Sequence, residues 1–212
     1  MKQAALGFRV HSGWAALVAI SIEEGLPLLV FRERPHLVKT FTYEFRQPYH
    51  TAEKKPLHEA RDFISQIRTA AGDMAYQVLR SAQTGLRKQG YELKRCGLLL
   101  ASGRPLPALP QILSSHALIH TADGELFREA LLDACKRCGL EAFTVKESEL
   151  LERAFRALQW QPGEVTSRLI ELGRSHGSPW SQDEKFAALV ACLSLLQPKN
   201  YPDAILQGRS SG

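Results

Sequence analysis

The first 32 residues hold three apolar runs separated by two tight turns, and this pattern limits the possible folds more than any other feature. Residues 4–11, 14–22 and 26–32 are rich in the apolar and β-branched side chains typical of strands. Ser12-Gly13 and Glu23-Glu24-Gly25 supply the turns. Because such short turns reverse the chain, the sequence predicts an antiparallel meander of three strands.

Residues 36–56, after this meander, are predicted to be irregular, and helices and strands alternate beyond them. From Leu57 to Leu86 apolar residues recur at spacings of three and four, which predicts a long amphipathic helix that Gly90 ends. A buried strand is predicted at 93–101 and a helical stretch at 112–138, with a break expected near 121–124. A short strand and three helices are predicted to follow, at 140–145, 147–158, 162–173 and 181–196. Ser181 and Glu184 have the spacing of a capping box at the start of the last helix.

The composition is that of a globular protein. Of the 212 residues, 44% are hydrophobic and 23% are charged, which argues against general disorder. We expect one α/β domain over 1–197 and a flexible C-terminal tail over 198–212. There is neither an apolar run long enough to span a membrane nor a signal-peptide pattern, so we expect a cytoplasmic protein with no membrane partner and with reduced cysteines.

Two segments resemble parts of a known fold. Asp183 to Ala191 is similar to the final acidic helix of Holliday-junction resolvases, and Leu6 to Gly13 is similar to their first strand and turn. Together with the order of elements, these segments resemble the ribonuclease-H-like superfamily. The resemblance implies an α/β fold with a mixed five-stranded sheet, whose first three strands are antiparallel, and helices on both faces.

The same resemblance implies a metal site that this sequence only partly retains. In the nuclease families, acids on the first strand, the fourth strand and the late helix hold two magnesium ions that activate water. Here the first strand offers Arg9, Val10 and His11, the fourth ends in apolar residues and Ser102, and only Asp183-Glu184 matches. Since paired hard cations need several oxygen ligands, we predict no ordinary two-metal nuclease activity.

Polar residues at the strand ends form a candidate cleft. In this fold the first and fourth strands are neighbours, and open α/β sheets bind ligands beyond their strand ends. A metal-independent hydrolase would use histidines and hydroxyls there for proton transfer, with Arg104 contacting an anion. The predicted catalytic residues are His11, Ser12, Ser102, His116 and His120.

His116 and His120 are four residues apart, so on a helix they share one face. This spacing suits two ligands of a divalent metal, but it is common by chance, and we assign no metal site from the sequence. The predicted ligand-binding residues are Arg104, Glu125, Arg128, Asp183 and Glu184.

Basic and aromatic residues alternate on the early strands. Arg9, Arg32, Arg34 and Lys39 lie between Phe8, Phe31, Phe41 and Tyr43. Such a surface binds single-stranded nucleic acid in some proteins and is simply the exposed side of a sheet in others. With a net charge of +5, the sequence favours a degenerate nuclease-like protein that binds nucleic acid or a nucleoprotein partner. A small hydrolase and a scaffold stay open as alternatives, and the sequence identifies no cofactor.

Overall fold

The computed structural model describes residues 1–101, 105–174 and 176–197, and these residues form a five-stranded mixed sheet in the order β3-β2-β1-β4-β5. The strands are β1 (Lys2–His11), β2 (Trp14–Glu23), β3 (Leu26–Glu33), β4 (Tyr91–Leu100) and β5 (Glu141–Lys146). The pairs β1–β2 and β2–β3 are antiparallel, whereas β1–β4 and β4–β5 are parallel. The predicted meander and mixed sheet are therefore confirmed. The predicted tail, 198–212, lies outside the described residues.

Helices cover both faces of this sheet. The helices are α1 (Tyr43–Arg46), α2 (Pro48–Ala52), α3 (Leu57–Lys88), α4 (Leu109–Leu113), α5 (His116–Arg137), α6 (Leu150–Leu158), α7 (Pro162–Arg174) and α8 (Gln182–Leu196). Helices α3 and α5 pack on one face, and α8 packs across β1, β2 and β4 on the other. Within the described ranges, no helix has the length and apolar character needed to cross a membrane.

Strand β1 divides the core because its side chains alternate between the two faces. Leu6 and Phe8 are fully buried beneath α3 and α5, whereas Ala5 and Gly7 face α8. Phe8 is therefore a core residue and cannot stack on a base as an exposed aromatic residue would. The odd-numbered residues of β1 continue on the α8 face as Arg9 and His11, whose polar groups reach the start of α8.

Helix α8 lies unusually close to the sheet. An atom added as Cβ at Gly7 would lie 1.8 Å from the carbonyl oxygen of Ala187, and one at Gly97 would lie 2.4 Å from that of Val190. The helix presents alanines to the strands, including Ala187 and Ala191. Small residues on both surfaces thus allow the helix backbone to pack directly on β1 and β4. This close packing fixes the distance between the sheet and the acids in the first turn of α8.

Two segments differ from the sequence predictions. The helical stretch after β4 breaks at 114–115, and α5 continues through the expected break at 121–124. Asp123 does not cap a new helix there, because its carboxylate accepts a hydrogen bond from the backbone N–H of Tyr49 at 2.7 Å. The segment 36–56, predicted to be irregular, contains α1 and α2, and α2 supplies that contact.

Candidate functional site

Acidic and basic side chains converge where the parallel strands end. Arg9 extends from the α8 face of β1, Asp183 lies in the first turn of α8, and Glu147 immediately follows β5. One guanidinium nitrogen of Arg9 donates to Asp183 Oδ1 at 2.5 Å, and two others donate to the carboxylate of Glu147 at 2.7 and 3.2 Å. Arg9 therefore neutralises both acids with charge-assisted hydrogen bonds, including a bidentate pair. We call these three residues the arginine cluster.

His11 joins the same site from the end of β1. Its Nε2 lies 3.0 Å from Asp183 Oδ1, and its ring stacks on Trp14 with centroids 4.4 Å apart. Asp183 Oδ1 thus contacts both Arg9 and His11. The guanidinium charge beside Asp183 disfavours a second cation there, and a hard metal ion also needs several free oxygen ligands.

Glu184, the next acid along α8, is also held by hydrogen bonds. Glu184, with a side chain only 2% exposed, accepts a hydrogen bond from Arg34 Nε at 2.6 Å and from the backbone N–H of Ser181 at 2.8 Å. The Ser181–Glu184 capping box predicted from the sequence is present. Burial acts to raise the pKa of Glu184, but the hydrogen bonds from Arg34 and Ser181 outweigh it and lower the pKa from 4.5 to about 2.

We expect Glu184→Gln to destabilise the protein by about 2 kcal/mol near neutral pH, a value reduced from the full pKa shift because Arg34 is partly exposed. A carboxyl whose pKa is lowered on folding stabilises the protein above its unfolded pKa. The difference between wild type and variant should therefore shrink as the pH falls from 4.5 towards about 2. Urea unfolding across this pH range measures it.

Glu152→Gln is the matched control, because Glu152 pairs with Arg156 on the surface of α6 and its side chain is 65% exposed. We expect it to change the free energy of unfolding by less than about 0.5 kcal/mol. A pH-independent difference between wild type and Glu184→Gln would contradict the assignment of a low pKa to Glu184.

Two stacked ring pairs, joined by a backbone bridge, form a strip beside the arginine cluster. His11 stacks on Trp14, Trp14 pairs with His36 in a β-bridge, and His36 stacks on Phe41 with centroids 4.1 Å apart. Two guanidinium groups lie over its rings, with Arg34 at 5.3 Å from the Trp14 centroid and Arg46 at 4.3 Å from that of Phe41. We call His11, Trp14, His36 and Phe41 the aromatic strip.

A histidine cluster lies on the opposite face of the sheet. His116 and His120 are exposed on the first turns of α5, with their Nε2 atoms 3.1 Å apart. The buried His50 of α2 meets both rings edge-on, at centroid distances of 5.4 and 4.4 Å. Its Nδ1 lies 2.5 Å from Asp123 Oδ2, so α2 and α5 are joined by this contact.

The contacts of the described residues divide those predicted for one cleft into separate groups. His11, at the end of β1, contacts Asp183, and Glu184 pairs with Arg34. Ser12 lies in the turn after β1, where its carbonyl oxygen accepts a hydrogen bond from Arg46 Nε at 3.3 Å. His116 and His120 belong to the histidine cluster beneath the other face. Glu125 and Arg128 pair with each other on α5 at 3.3 Å. Ser102 and Arg104 lie outside the described residues. The described contacts do not bring His11 together with His116 or His120.

Four site residues were missed or misread in the sequence. Arg9 and Arg34 were assigned to a strand surface that either binds single-stranded nucleic acid or is simply exposed, and neither Glu147 nor His50 was among the predicted site residues. The signal available for Arg9 and Glu147 was positional, because both lie at the carboxyl ends of strands that the predicted sheet places side by side. No local pattern indicates that His50 faces α5.

The strand order and the helices on both faces show that this chain has a ribonuclease-H-like fold, as the sequence resemblance implied. The structure of Thermus thermophilus RuvC in complex with a Holliday junction substrate is similar over 92% of this chain and 93% of that chain, with a TM-score of 0.50 and 13% sequence identity. A further T. thermophilus RuvC structure has a TM-score of 0.48 and 12% identity, covering 91% of this chain and 93% of that one. Identity this low indicates a shared fold only. No family model matches the sequence, and no match was found among curated protein sequences.

Proposed function

We propose that this chain is a ribonuclease-H-like protein that binds nucleic acid and does not cleave it by two-metal chemistry. The observation that carries the proposal is the arginine cluster. At the end of the central strand, where nucleases of this fold need a carboxylate, the chain has a guanidinium that holds Asp183 and Glu147. The positive charge that two metal ions would bring is supplied in part by the protein itself.

The aromatic strip supports binding of single-stranded nucleic acid. Base stacking on aromatic side chains tolerates any sequence, and nearby arginines attract the phosphate backbone. Phe41 is 42% exposed despite its contacts with His36 and Arg46, and Tyr43, just beyond the strip, is 60% exposed, so part of each ring is accessible to a ligand. The net charge of +5 favours a polyanion. The similar fold of a RuvC bound to a Holliday junction makes nucleic acid the first ligand class to test.

We expect purified protein to bind fluorescently labelled single-stranded DNA or RNA, with an affinity that falls steeply between about 50 mM and about 200 mM salt because counterions are released. Phe41→Ala should weaken binding about tenfold, which corresponds to the loss of one stacked base. Fluorescence anisotropy measures both effects. Leu151→Ala is the matched control, since Leu151 is also 42% exposed but lies on α6.

The same preparations should leave four-way junction DNA and RNA–DNA hybrid intact in the presence of magnesium. Two results would overturn the proposal. One is the absence of binding to single strands, duplexes and junctions alike at low salt. The other is magnesium-dependent cleavage by wild-type protein that Asp183→Asn abolishes.

A further inference from the structure

Three imidazoles come together in the histidine cluster, which the proposed function does not use. One nitrogen from each of His50, His116 and His120 lies within 4.8 Å of the other two. Among the described residues, these are the only three histidine, cysteine or acidic side chains that meet this distance criterion. Two elements far apart in sequence contribute to the cluster, since α2 brings His50 against the start of α5.

The spacing of the two α5 histidines fits one metal ion. In a tetrahedral site with zinc–nitrogen bonds of 2.0–2.1 Å, neighbouring ligand nitrogens lie about 3.3 Å apart. The Nε2 atoms of His116 and His120 are 3.1 Å apart. The i,i+4 spacing places both rings over one face of the helix, so a single ion can contact both without any change in the backbone.

The third histidine is oriented by a buried acid. Asp123 is 2% exposed, and its two oxygens contact the backbone N–H of Tyr49 at 2.7 Å and Nδ1 of His50 at 2.5 Å. A carboxylate on one ring nitrogen fixes the tautomer and leaves Nε2 of His50 for a metal. This carboxylate–histidine arrangement is the usual support for a histidine ligand in metal sites.

We propose that His50, His116 and His120 bind a divalent transition-metal ion, foremost Zn²⁺, with Asp123 orienting His50. Three neutral imidazoles favour zinc and its neighbours in the first transition series over magnesium and calcium, which prefer oxygen. The three histidines leave one side of the metal position open to solvent, because His116 and His120 are exposed. Water or an outside ligand therefore completes the coordination.

The histidine cluster shares no residue with the arginine cluster or the aromatic strip, although the two surfaces approach each other. The ring of Tyr43, at the end of the segment that carries the aromatic strip, lies 6.4 Å from that of His50. A metal ion there would hold α2 against α5 and thereby fix the segment that leads to Phe41.

The test is zinc titration of the full chain, prepared without a histidine tag and stripped of metal with a chelator. We expect one Zn²⁺ per chain by isothermal titration calorimetry, and visible absorption typical of tetrahedral Co²⁺ when cobalt replaces zinc. His120→Ala, which alters an exposed side chain, should reduce the zinc affinity by at least the upper end of the roughly 10- to 100-fold loss typical of an outer-shell partner, because it removes one of the three ligands itself. His58→Ala is the control, since His58 is exposed on α3 outside the cluster.

Asp123→Asn separates a ligand-orienting role from a structural one. We expect it to weaken zinc binding about 10- to 100-fold while His116 and His120 are unchanged. Circular dichroism spectra that match wild type confirm that the variants are folded. The proposal is wrong if wild type binds no zinc, or if His120→Ala binds zinc as tightly as wild type and the His58→Ala control do.

Discussion

Gly7→Ala is expected to lower the free energy of unfolding by about 3 kcal/mol or more, the upper part of the range for overpacking a core. The added methyl group would lie 1.8 Å from the carbonyl oxygen of Ala187, which is backbone and cannot rotate away. Helix α8 would have to move off the sheet. Since small domains are stable by about 5–15 kcal/mol, this change removes a large fraction of the total.

Chemical denaturation followed by far-ultraviolet circular dichroism measures this loss. Gly85→Ala is the matched control, because Gly85 lies inside α3 and a Cβ there would meet no atom within 4 Å. Alanine suits a helix interior better than glycine, so we expect this variant to be more stable by about 0.5–1 kcal/mol. Equal denaturation midpoints for Gly7→Ala and wild type would show that α8 does not pack as closely as the structure indicates.

The same glycine shows what the sequence was able to predict. Gly7 was placed correctly on the first strand, since its neighbours have strand character and a turn follows. Its contact with Ala187 joins positions 180 residues apart, and no local pattern encodes it. The periodicity of α3 and the Ser181–Glu184 cap were predictable because both depend on spacings of three or four residues.

In the candidate sites, too, features set by local sequence were predictable and contacts between distant segments were not. Asp183 and Glu184 were identified because the acidic helix has a recognisable local sequence. Their partners Arg9 and Arg34 were not, because the pairing requires α8 to lie across β1 and β2. The helix break was misplaced for a related reason. Asp123 resembles a helix-capping residue in sequence, but it is used to bind Tyr49 and His50 from a distant segment.

The role of the arginine cluster can be tested by reversing the charge at position 9. Arg9→Asp should destabilise the protein by about 3 kcal/mol, because it removes the partner of two acids and places a third carboxylate beside them. The side chains of Arg9 and Asp183 are only 22% and 19% exposed, so solvent screens this repulsion incompletely. Several carboxylate oxygens close together are the ligands that magnesium and manganese prefer.

We therefore expect millimolar Mn²⁺ or Mg²⁺ to raise the melting temperature of Arg9→Asp and to leave that of wild type nearly unchanged, as differential scanning fluorimetry would show. Arg9→Met is the control, since it removes the guanidinium without adding an oxygen ligand and should respond to metal much less. If neither ion changes the melting temperature of Arg9→Asp, Arg9 does not occupy the position at which nucleases of this fold bind metal ions. If the ions stabilise Arg9→Asp alone, then Arg9 is the residue that prevents Asp183 and Glu147 from forming a metal site.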